Sequence, residues 1–169
     1  MVSGQLSYWT ERLAGLPGLL EFPTDRPRPL VASNRGARVT VTLPAQTGMA
    51  LRALASEHRA TAFMVVHAAW AAVMGRVSNA VDVAISTPVG GRGSAVLDPL
   101  VGMFVNTLVL RASVDGGQSF AELLDQVSAS DVEAFAHGDV PFEAVVDAVK
   151  PVRSEAFAPL AQVALNFDP

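Results

Sequence analysis

Gly102-Met103-Phe104-Val105-Asn106-Thr107-Leu108-Val109-Leu110-Arg111 is the stretch on which the fold turns. Apolar residues at both odd and even positions predict a strand over 103–111 that is covered on both faces and central in a sheet. Asn106 shares a face with Phe104, Leu108 and Leu110. A buried amide without partners costs about 1–3 kcal/mol. Two readings follow: Asn106 is hydrogen-bonded within the core, or it faces a wet cavity and lines a substrate channel.

Upstream, 81–89 alternates, with Val81, Val83, Ile85 and Thr87 on one face of a second strand. Gly90-Gly91-Arg92-Gly93-Ser94 follows as a loop. It lacks the spacing of a Walker motif or of G-x-G-x-x-G, so it reads as a turn whose Arg92 pairs with a carboxylate elsewhere. Downstream, Ser119 and Glu122 form an S-x-x-E capping box before a helix that starts at Phe120. Pro141 suits the first turn of another helix, ending near Lys150-Pro151. A last strand is expected over 162–167. Nothing in the chain remains to cover it, which predicts a part of something larger.

Further out, Val39, Val41 and Leu43 alternate with Arg38, Thr40 and Thr42, predicting a half-buried strand over 38–43. Helices are expected over 45–58 and 61–76, the second apolar nearly all round and capped by Thr61. The prolines of 22–29 predict an extended connector, and 7–16 a short helix ended by Gly15 and Pro17. The sum is a mixed α/β domain (α+β layered), with a mixed sheet packed by helices.

The chain has 169 residues, half of them hydrophobic and only 17% charged, which predicts a well-buried globular domain. A net charge of -4 without a basic run argues against nucleic acid. The most apolar stretch, 62–77, contains His67 and Arg76 and is too short for a bilayer. There is no cysteine and no secretory leader pattern, so a reducing, cytoplasmic setting is expected. His58, His67 and His137 show no metal-ligand spacing, and no G-x-S-x-G occurs. His67 reads as packed in a core helix, and His137 as a helix-terminal imidazole. No catalytic residue and no metal site is expected in this chain.

Several segments, in order, resemble the condensation domain family of nonribosomal peptide synthetases. Tyr8-Trp9, Leu13 and Pro23 to Pro29 look like the stretch joining the family's two lobes. Thr87-Pro88-Val89-Gly90-Gly91-Arg92 resembles its T-P-x-x-x-R segment, and Gly102 to Thr107 its G-x-F-V-N-T motif. His137-Gly138-Asp139-Val140-Pro141-Phe142-Glu143 resembles its H-x-D-V-P-F-E motif, and Arg153 with Pro159-Leu160 and Gln162-Val163 its late R…P-L-x-Q-V pattern. Gly138, Ala156 and Ala161 depart from the family's usual Gln, Ser and Phe. The family's catalytic His-His-x-x-x-Asp-Gly is absent from this sequence.

The resemblance implies a chloramphenicol-acetyltransferase-like lobe. Residues 1–36 would be the inter-lobe helix and connector, and 37–169 part of the C-terminal lobe. It implies peptide-bond formation between aminoacyl or peptidyl thioesters held on the phosphopantetheine arms of peptidyl carrier proteins, with no cofactor bound directly. A chain without the histidine motif is not expected to catalyse alone. Asn106 and Thr107 would line the substrate channel. Arg92, His137, Asp139 and Arg153 would serve the lobe interface or structure. The N-terminal lobe and the carrier proteins are the implied partners, with self-association of the isolated lobe. A non-catalytic module binding a carrier or partner lobe, and a related acyltransferase, are the rival readings.

Overall fold

A computed structural model describes residues 2–91 and 95–168. The elements run α1 (Val2–Arg12), α2 (Ala45–Glu57), α3 (Ala62–Ser78), β1 (Asp82–Gly90), a single 3-10 turn (Ala95–Leu97), β2 (Val105–Ser113), α4 (Phe120–Ala136), α5 (Phe142–Val149) and β3 (Val163–Ala164). The sheet is mixed: β1 pairs antiparallel with β2 and parallel with β3, in the order β2-β1-β3.

Three of the four residues predicted on one face of β1, Val83, Ile85 and Thr87, are buried, while Val81 lies ahead of the strand and is 70% exposed. Val83 and Ile85 join Ala112 of β2 in a core with Val65, Ala68 and Ala71 of α3 and Leu124 and Val127 of α4. Ala84, with Leu108, Val109 and Leu110 of β2, packs with Trp9, Leu13, Val145 and Leu160. Apolar residues on both parities of β2 therefore have a different cause from the one expected. β2 is the edge strand and β1 the central one; helices cover both faces of β2 instead of two strands flanking it.

Two further expectations give way. Residues 38–43 belong to no strand of the described sheet, and Val39, Val41 and Leu43 are 87%, 76% and 62% exposed. Period-two alternation specifies a surface that fits a sheet; it does not supply the neighbouring strand. The last strand is also shorter than 162–167: only Val163 and Ala164 pair, with Ile85 and Ser86. The first helix lies earlier than expected. It closes at Arg12, and Gly15 turns the chain with φ +67.

The capping signals were legible. Thr61 accepts from the Met64 amide at the start of α3. Ser119 Oγ accepts from the Glu122 amide at 3.3 Å, while Glu122 Oε2 accepts from the Ser119 amide at 2.7 Å. The Ser119 amide, and its hydroxyl donating to Glu122 Oε2 at 2.8 Å, hold the Glu122 carboxyl below the usual carboxylate range. Its contribution is therefore present above the ordinary glutamate pKa and is lost as pH falls through the lowered one. Ser119→Ala is expected to cost roughly 1 kcal/mol, read as a lower midpoint in urea unfolding.

Candidate functional site

Two segments distant in sequence, β2 and α1, converge on the turn 137–142, between α4 and α5. From β2, the Asn106 side chain donates through Nδ2 to the Gly138 carbonyl at 2.9 Å and to the Val140 carbonyl at 2.8 Å. Its Oδ1 accepts from the Phe142 amide at 3.1 Å. The Phe142 amide is one of the orphan donors of the first turn of α5, and Pro141 has no side chain that can cap it. Asn106 thus caps α5 from a neighbouring strand while holding the turn that precedes it.

From α1, Trp9 Nε1 donates to the His137 carbonyl at 2.9 Å. The Tyr8 ring stacks on the His137 imidazole at 4.0 Å between centroids and 8° between planes. Gln5 Nε2 donates to Asp139 Oδ2 at 2.9 Å. His137 Nδ1, facing the Glu133 carbonyl at 2.7 Å, must be the protonated nitrogen that donates to it. The turn is pinned from both sides.

α1 is itself fastened to β2 by two arginines in reciprocal contact. Arg111 makes a two-pronged pair with Asp82, at 2.8 Å and 2.6 Å. Its Nη1 donates to the Arg12 and Ala14 carbonyls, both at 2.8 Å, capping the C-terminal end of α1. Arg12 answers by donating to the Arg111 carbonyl at 2.6 Å and to Ser130.

The residues singled out from the sequence fare as follows. Asn106, His137 and Asp139 come together at the turn. Thr107 is half-buried, opposite Pro88 in the β1–β2 ladder. Arg153 pairs with Asp147 at 2.8 Å on the surface and lines a shallow pocket with Phe142 and Glu143, beside the end of the turn. Arg92 lies outside the described residues. Beside its loop, Gly91 donates to the Phe104 carbonyl at 2.7 Å, and a Cβ there would sit 2.2 Å from that oxygen, so only glycine fits. Sequence reasoning missed Trp9 and Tyr8 as turn-holding residues and did not single out Asp131, which pairs with His67. Among the described residues no group of three or more His, Cys, Asp or Glu could hold a metal.

The condensation domain family model matches residues 2–169. The chain belongs to the condensation domain family. It is 48% identical over 98% of its length to the isonitrile lipopeptide synthase of Mycobacterium tuberculosis, of which it covers 7%. A holo four-domain nonribosomal peptide synthetase bound to AMP and glycine superimposes with a TM-score of 0.94 at 29% identity, over 97% of this chain and 12% of that one. The X-domain from teicoplanin biosynthesis gives 0.91 at 27%, over 97% and 36%. The chain thus spans a small share of the curated relatives it matches and about a third of that isolated domain. Its mixed sheet packed by helices is a lobe of the chloramphenicol-acetyltransferase-like architecture.

Proposed function

We propose that this chain is part of the C-terminal lobe of a condensation domain that joins two carrier-bound aminoacyl or peptidyl thioesters through a peptide bond. In that reaction the acceptor amine attacks the donor thioester carbonyl, the C–N bond forms, the C–S bond breaks, and the amine's proton leaves with the thiol. The phosphopantetheine arms enter as parts of the substrates. This chain supplies architecture, and the proton-handling histidines lie in the partner lobe. Asn106 and Thr107 belong to the channel wall, where Asn106 acts by fixing the turn 137–142. Residues 1–36 form the inter-lobe segment, with α1 fastened onto the lobe 37–169. The setting is cytoplasmic.

The observation that carries this reading is the bond set of Asn106, which joins the G-x-F-V-N-T strand to the H-x-D-V-P-F-E turn. Exposed apolar residues support it: Val101, Met103 and Val105 lie on the surface just before and at the start of β2, an apolar patch suited to the other lobe. In the isolated chain the same patch drives self-association.

A second reading has its own support. The X-domain from teicoplanin biosynthesis, so similar in fold, has also been solved in complex with OxyB. A lobe of this kind can therefore belong to a domain that binds another protein.

The test uses carrier proteins loaded with donor and acceptor aminoacyl thioesters, with mass spectrometry of the carrier-bound product. The chain alone should give no dipeptidyl thioester. The same chain joined to the lobe bearing His-His-x-x-x-Asp-Gly should give it. Product from the chain alone would place the catalytic group here and overturn the division of labour. A complete domain that binds carriers without turnover would establish the binding reading.

A further inference from the structure

His67 and Asp131 meet in the buried interior of the lobe. His67 Nδ1 lies 2.9 Å from Asp131 Oδ2, and the two side chains are 1% and 0% exposed. The turn at 137–142 makes no use of them. They join α3 to α4, and α1 reaches the same place. Arg12 of α1 bonds to Ser130, next to Asp131, and its charge acts on the Asp131 carboxyl. Tyr8 of α1 feels the charges of Asp131, Arg12 and Glu133. The groups around Asp131 are therefore His67 from α3, Arg12 and Tyr8 from α1, and Glu133 on its own helix.

We infer that the His67–Asp131 pair is a pH-sensitive clasp at the junction of α1, α3 and α4, tightest while one proton is held between the two side chains. A buried pair with one shared proton has no net charge when the imidazole is otherwise neutral. Removing that proton leaves a carboxylate closed off from solvent, offset only in part by the His67 imidazole and Arg12. Burial accordingly pushes the Asp131 carboxyl above the usual carboxylate range, against the opposing pull of His67 and Arg12. The sign follows from linkage. A folded carboxyl that keeps its proton longer than the unfolded one contributes full stability below the ordinary aspartate pKa. That contribution is lost as pH rises through the raised value. The clasp thus loosens in the direction opposite to the capping box of α4, which weakens on acidification.

The consequence reaches the turn, because Gln5, Tyr8 and Trp9 of α1 all hold it. Trp9 is buried and reports the docking of α1. Trp70, which is partly exposed, is replaced by Phe in the background to leave one emitter.

The test compares urea unfolding of the 169-residue chain with that of Asp131→Asn across pH 4 to 8. Asn is isosteric, and its amide can still donate to His67 Nδ1. The ratio of the wild-type unfolding constant to that of D131N should climb several-fold with pH. Trp9 emission in the folded wild type should move to the red over the same interval. His67→Gln, which removes the imidazole's support for the carboxylate, should move the climb to higher pH. A ratio flat in pH would overturn the clasp. A 13C titration of the Asp131 carboxyl in the wild-type chain needs no destabilising substitution. A midpoint in the ordinary carboxylate range would overturn it equally, and a raised midpoint supports it.

Discussion

Trp9→Ala should destabilise the lobe by about 3–5 kcal/mol, the usual range for emptying a buried aromatic site. Trp9 is 2% exposed and packs with Leu13, Leu108, Val140 and Val145. Its removal opens a cavity between α1, β2 and α5 and leaves the His137 carbonyl without the indole donor. A domain of ordinary stability has about 5–15 kcal/mol in all, so the variant sits near the edge of folding. Trp9→Phe separates the two contributions. It keeps most of the packing, loses the 2.9 Å bond, and should cost about 1–2 kcal/mol. Equilibrium unfolding in urea of both variants gives the comparison. A Trp9→Ala chain as stable as wild type would mean that α1 is not docked on the lobe.

Asn106→Ala should cost about 2–4 kcal/mol, because three bonds to one turn vanish together and each leaves a half-buried backbone group unpaired. In a complete condensation domain the rate should fall about tenfold to a hundredfold, the scale of a displaced positioning element. Asn106→Asp is the sharper variant. Its carboxylate still accepts from the Phe142 amide, yet it faces the Gly138 and Val140 carbonyls with no proton to offer. It should therefore do no better than Ala, despite matching Asn in shape. Thermal unfolding and single-turnover condensation with loaded carriers read the two effects. An Asn106→Asp domain that melts and condenses like wild type would show that the turn is held without this amide.

The partners that the sequence demands for the Asn106 amide are present, since both its amide protons and its carbonyl are engaged. Composition and spacing said that such an amide needs partners; they could not say which, because the partners lie 32 to 36 residues away. The same limit explains Trp9, whose partner is 128 residues distant. Signals closed within a few residues were legible, among them the Thr61 and Ser119 caps and the period of β1. Where a pattern needs a distant neighbour to give it meaning, it misled. Residues 38–43 have the alternation of a strand and lie unpaired in the described sheet, and β2 has the composition of a central strand and lies at the edge. His67 was rightly read as packed, but its aspartate was hidden behind 64 residues of chain.

The reciprocal grip of Arg12 and Arg111 bears on how lobes of this family can be exchanged between parents. The proline-rich stretch over 22–29 looks like the natural seam for a graft. A splice there would bring a foreign α1 against a native β2, turn and α4. Every bond that crosses between them, from the indole of Trp9 to the guanidinium of Arg111, would then depend on two ancestries agreeing. A junction placed ahead of Val2 carries the helix with its own lobe, and a chimera inherits the whole interlocked unit.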